Sequence, residues 1–298
     1  MHRSPRLLLA FLLGTGAATM QPAACLMAAQ GRGEPAQRAT LKPVAAKPPD
    51  IPFNDDESQS EQQLLALANQ SRRKAGAPLL TLDPGLSHAA RIHAQAMLTA
   101  QQLSHQFGGE PALPQRLADR TNLQLDREGE NVALDYDAEH GHEHLMLSPP
   151  HRANLLNPAY NVVGLGVVRS GDRLYIVQDF AHALPNYSSA EVKDRVAAAV
   201  KQRRHRISQP ELQRRDLLTA DAAACSMAQA DKLGTSPARK LAERSTVFTY
   251  TSLHPETLPN GTFHAIASRN LHSFSIGACY GRTDTYPTGV YWVVLSVE

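Results

Sequence analysis

Net charge is nearly absent from this chain. Thirty Lys and Arg against 28 Asp and Glu leave +2 over 298 residues, too little to imply a polyanionic partner, so no nucleic acid is expected. Long apolar runs are missing as well: beyond the N-terminal segment nothing approaches the ~18 uninterrupted apolar residues of a membrane-spanning helix, and no transmembrane segment is expected in the mature chain. Cysteine is rare, with Cys25, Cys225 and Cys279 the only three. What remains, 42% hydrophobic and 19% charged, is ordinary globular composition, and the length suits two domains.

The N-terminus reads as an export signal over residues 1–29. His2, Arg3 and Arg6 precede the apolar run Leu7 to Leu13, and small residues follow to Ala29. Secreted or periplasmic localisation follows. A lipoprotein reading would make Cys25 the acylated residue, but Pro22-Ala23-Ala24 lacks the Leu-like residue expected before it. Cleavage removes Cys25 and leaves Cys225 and Cys279 in an oxidising compartment, either as a disulfide or as two buried thiols. Residues 30–57 carry Pro35, Pro43, Pro48, Pro49 and Pro52 and read as a proline-rich, disordered tether.

Folded structure is expected over 58–187, opening at Ser58 as N-cap with Glu61 three residues on. Leu64, Leu67 and Ala68 recur at helical spacing until Gly76; Asp83 opens a second helix with Leu86, Ala90, Ala94 and Met97 as its stripe. Val162 to Val168 and Leu174 to Phe180, separated by Ser170-Gly171-Asp172, form a hairpin. Helices packed on an antiparallel sheet, an α+β fold, follow from this order. The charged stretch 188–216 reads as a solvated linker helix, and 217–298 as a smaller α+β domain. That last part echoes the first: Leu217 to Asp221 parallels Leu79 to Asp83, and Ser275 to Ala278 parallels Val163 to Gly166. It is either a degenerate copy lacking a polar centre or a chance recurrence of a common pattern.

Four ordered segments carry a family resemblance: Asn69 to Arg72 with the helix bearing His93; Leu103-Ser104-His105; Gly129-Glu130-Asn131-Val132-Ala133; and Ser148-Pro149-Pro150-His151-Arg152-Ala153-Asn154 before the hairpin. Together they resemble the CAP superfamily (cysteine-rich secretory, antigen-five and pathogenesis-related proteins) in its bacterial, SCP-like form, over about 120 residues. The resemblance implies an α-β-α sandwich whose cleft holds two histidines and two acidic residues, and zinc or another divalent cation in several relatives. Carried over, these positions are His105, His151 and Glu130. The fourth falls on Ser148 instead of a carboxylate, and Glu143 could replace it only in a different helix register.

Two imidazoles and one carboxylate can hold zinc with an open position, orient a general base without metal, or form a satisfied structural network. His140 and His144 share a helix face at ligand spacing, although interleaved His and Glu also mark a solvated helix. The leading expectation is an exported binding module taking a small apolar ligand, a cell-wall component or a protein. The alternatives are a metal-dependent, peptidase-like hydrolase and a structural envelope protein.

Overall fold

In the computed structural model the described residues are 55–243 and 245–298, so the expected signal, Cys25 and most of the tether lie outside them. Helix α1 (Asp55–Lys74) begins three residues before Ser58, its first turn carrying Asp55, Asp56 and Glu57. Negative charge there complements the helix dipole, so the helix needs no Ser58 cap and the expected tether boundary at residue 57 moves back. Gly76 takes φ +70 just beyond it. Strand β1 (Thr81–Leu82) leads to α2 (Pro84–Ala100), where Asp83 caps the helix by accepting from the Leu86 amide at 2.8 Å.

Next come α3 (Leu113–Ala118), β2 (Gln124–Asp135), α4 (Ala138–Leu147), α5 (Pro149–Leu155), β3 (Val162–Ser170) and β4 (Arg173–Leu184). The sheet order is β1-β3-β4-β2; β1 runs parallel to β3 and the other pairs are antiparallel, so the sheet is mixed and not purely antiparallel as expected. Strand alternation divides its faces. Leu165, Val167, Leu174, Ile176 and Phe180 pack with Leu64, Ala68, Leu145 and Leu155 of α1, α4 and α5. Val132, Val168, Tyr175 and Val177 pack with Ala90, Ala94 and Met97 of α2. Helix, sheet and helix layers result, each large buried aliphatic contributing roughly 1.5–3 kcal/mol.

The remainder of the chain repeats this plan. Helix α6 (Ser189–Arg206), β5 (Gln213–Arg215), α7 (Leu218–Ala230), α8 (Ser236–Leu241), β6 (Thr246–Ser252), α9 (Thr262–Ala267), β7 (Ser273–Gly281) and β8 (Val290–Val297) follow in order. The second sheet has order β5-β7-β8-β6, again with only its first pair parallel. Buried Arg72 at the end of α1 donates to the carbonyls of Pro78, Leu155, Asn157 and Tyr160. Buried Arg204 at the end of α6 does the same to Pro210, Ile266 and Ser268. A Cβ on Gly166 would enter the backbone of Ala90 and Arg91, and one on Gly277 that of Ala220 and Asp221. Both central helices end on a left-handed residue, Gln101 or Asp231, with the following amide returning to Met97 or Met227.

These anchors correct two expectations. Ala220 corresponds to Ala90, so the parallel drawn between Leu217 to Asp221 and Leu79 to Asp83 is out of register; likewise Gly277 answers Gly166, one position from the expected match. The stretch 188–216 is not a solvated linker: Val192, Val196 and Val200 of α6 lie in the core of the second sheet with Ile276, Val293 and Leu295. Its polar composition reflects one exposed side only. Cys225 of α7 and Cys279 of β7 form the expected disulfide.

Candidate functional site

Edge strand β2 carries Gly129-Glu130-Asn131 through the sheet and not through a loop. Gly129 is required there because a Cβ would collide with the Tyr160 hydroxyl and crowd Asn154; that hydroxyl donates to the Glu128 carbonyl at 3.1 Å. Alternation sends Glu130 to the α2 face with Val132, and Asn131 to the opposite face.

On the α2 side the Glu130 carboxylate, 4% exposed, is held twice: His105 Nδ1 lies 2.8 Å from Oε1, and Arg116 Nη2 of α3 bonds Oε2. His93 of α2, fully buried, fixes the neighbouring chain. Its Nε2 donates to the Ser104 carbonyl at 2.8 Å, so that nitrogen carries a proton. Its Nδ1 is 2.7 Å from Glu110 Oε1 and 3.0 Å from Arg116 Nη1, and either donates to the first as an imidazolium or accepts from the second. Arg116 also pairs with Glu110 Oε2 at 3.1 Å. Directly across the ladder from Glu130 stands Asp179, fully buried, whose oxygens meet no protein N–H or hydroxyl donor among the described residues. Burial, and then the charge of Glu130, hold the Asp179 carboxyl well above the usual carboxylate range, against the pull of Arg116.

On the other face Asn131 donates to the His151 carbonyl at 3.1 Å and to Gln178 Oε1 at 3.3 Å, and accepts from Asn154 Nδ2 at 3.0 Å. Its task is therefore to tie α5 to the sheet. His151 Nδ1 rests 2.9 Å from Ser148 Oγ, and Ser148 both ends α4 and begins α5. Partial burial, and then the nearby His105, lower the pKa of His151 and favour its neutral ring.

The expected residues thus separate into two kinds. His105, Glu130, His151 and Ser148 gather about β2. Glu143 is exposed on α4. His140 turns to Asp137 at 2.9 Å and His144 to Asp135 at 2.6 Å, both more than half exposed. His142 between them is buried and meets Ser71 Oγ at 2.9 Å. Unforeseen were His93, Glu110, Arg116 and Asp179. Two of them left a signal: His93 lies on the apolar stripe of Leu86, Ala90 and Met97, and Asp179 interrupts the buried run of β4. Neither Glu110 nor Arg116 lies in any periodic pattern.

Metal was implied by the resemblance, and the donor set does not fit a three-ligand cage. Both Glu130 oxygens are already engaged, and among the described residues no group of three or more His, Cys, Asp or Glu is placed to hold an ion. Glu130 instead stands behind His105, orienting its ring, as a supporting carboxylate does for a histidine. His105 gives its Nδ1–H to Glu130, and its side chain is 57% exposed.

Comparison with known proteins follows the same segment. Residues 65–180 match the sequence model of the cysteine-rich secretory protein family, CAP. The chain is 32% identical over 141 residues to the uncharacterized membrane protein YlbC of Bacillus subtilis, covering 47% of this chain and 39% of that protein. It is 31% identical over 115 residues to the uncharacterized protein YkwD of the same organism, covering 37% and 43%. The chain thus spans about two fifths of each relative's length. Among solved structures, an extracellular protein containing a SCP domain from Bacillus anthracis aligns at 26% identity over 44% of this chain and 45% of that one, with TM-score 0.38.

Proposed function

Residues 65–180 belong to the cysteine-rich secretory protein (CAP) family, and from that premise we propose that the chain is an exported binding module whose cleft lies between His105 and His151. The observation that carries this reading is the anchoring of both imidazoles through Nδ1, to Glu130 and to Ser148, which leaves both Nε2 atoms available. Leu103 precedes His105 by two residues and Leu147 directly precedes Ser148, and they are 43% and 75% exposed. Two imidazole Nε2 atoms suit a small polar ligand with an apolar portion, such as a short peptide or a wall fragment. The metal-dependent hydrolase reading is less well supported: Arg116 and His105 already engage both Glu130 oxygens, and no set of three ligands is gathered among the described residues.

The test is thermal melting of the folded chain with short peptides, soluble wall fragments, lipid vesicles or zinc chloride, against the His105→Ala/His151→Ala variant. Peptide or wall fragments should raise the melting temperature of the parent by several degrees and leave the variant unmoved. A zinc shift of that size in the parent alone would favour the metal-dependent alternative. Equal responses in both proteins, for every probe, would remove the cleft from consideration.

A further inference from the structure

The internal repeat provides a comparison within one molecule of what the fold needs and what it does not. Residues that build the fold recur: Arg72 and Arg204, Gly166 and Gly277, Met97 and Met227 occupy matching places with matching contacts. The buried polar cluster does not recur. Counting from the Ala90 and Ala220 anchors, His93 falls on Ala223. Strand register sets Glu130 opposite Asp179 in the first sheet and Val247 opposite Ser296 in the second. Equivalent acceptors for the two arginines place His151 on Thr262. The second repeat closes the same region with Ala223, Trp292 and Val294, against which Val247 packs.

The cluster is also costly. Neither Asp179 oxygen receives a protein N–H or hydroxyl donor, and Arg116 Nε is buried without a partner among the described residues. Buried polar and charged groups so incompletely satisfied disfavour folding and are often replaced by apolar residues with no loss. An assembly that the fold dispenses with in one repeat and tolerates at a cost in the other is held there for the site.

We infer that His93 and Asp179 are positioning residues of the cleft: with Glu110 and Arg116 they fix Glu130, and through it the tautomer and direction of His105. His93 acts by two routes, fastening Ser104, which precedes His105, and setting Arg116, which binds Glu130. Asp179 lies behind the same carboxylate. The inference rests on the cleft reading above, but its test needs no ligand.

Two variants of the full chain decide it. The first grafts the second repeat's residues into the first, His93→Ala, Glu130→Val, Tyr175→Trp and Asp179→Ser, with Arg116→Met so that no buried guanidinium is left without its carboxylate. It should melt cooperatively within about 5 °C of the parent, whereas unfolding, or a drop beyond about 10 °C, would show that the cluster holds the fold and overturn the inference. The second is His93→Ala alone, read by the ring ¹⁵N shifts of His105. The parent should show Nδ1 protonated, and the variant a mixed or reversed tautomer. An unfolded variant, or a folded one with the parent's tautomer, overturns the positioning role. Ligand screening bears on the cleft reading alone, so the two can fail separately.

Discussion

Glu61 and Asp221 perform one task from different helices with the charges of their partners exchanged. Glu61 of α1 accepts from the Val167 amide at 3.2 Å and binds Arg91 of α2. Asp221 of α7 accepts from the Ala278 amide at 3.2 Å and binds Lys193 of α6 at 2.9 Å. By the register of the repeat, Lys193 stands where Glu61 stands and Asp221 where Arg91 stands. The backbone amide and the ion pair persist while acid and base change helix, because the geometry requires one carboxylate near that strand and is indifferent to which helix supplies it.

Exchanging the charges in the first repeat should therefore be tolerated. Arg91→Asp alone sets a second carboxylate beside Glu61, whose pKa burial already raises, and should cost about 3 kcal/mol, as breaking a buried pair does. Glu61→Lys/Arg91→Asp should recover more than half of that in urea denaturation. A double variant no more stable than the sum of its singles would show that the two sites are not equivalent.

The Cys225–Cys279 bridge spans 54 residues of the second repeat. Its removal as Cys225→Ser/Cys279→Ser frees that loop in the unfolded chain, with an expected loss of about 4 kcal/mol on the chain-entropy account. Hydrogen exchange should rise in α7 and β7 and stay near parent values in α2 and β3, whose equivalent contact has no bridge. A loss below about 1 kcal/mol would contradict this.

Asp179 gives a pH dependence whose sign is fixed by its raised pKa. A carboxyl that holds its proton more tightly when folded contributes stability fully below the unfolded pKa of about 3.9, and that contribution is lost as pH rises through the folded value. Asp179→Asn keeps the shape and stays neutral. Denaturation at pH 4 should find variant and parent similar; at pH 7 the variant should be the more stable. A variant weaker at pH 7 would mean that the carboxylate is ionised and paired with Arg116.

Much of this molecule is set by sequence alone. Apolar spacing after Asp83, the glycine at position 76 and the turn at Gly171 determine the two leading helices and the hairpin, because local periodicity and backbone freedom act over a few residues. The resemblance carried by the ordered motifs singles out His105, Glu130 and His151 but does not say whether they converge. Tertiary structure decided the rest. Glu130 belongs to Arg116 and His105, a commitment that depends on α3 folding over β2 and that no spacing encodes. Asp179 meets Glu130 only through strand register, across 49 residues. The stretch 188–216 looked solvated by composition, yet three valines on one side of α6 suffice to bury it once a second sheet is present to receive them. The repeat itself was partly legible, but its register was not: two short matching strings can slide past each other, whereas a glycine pressed against a helix backbone cannot.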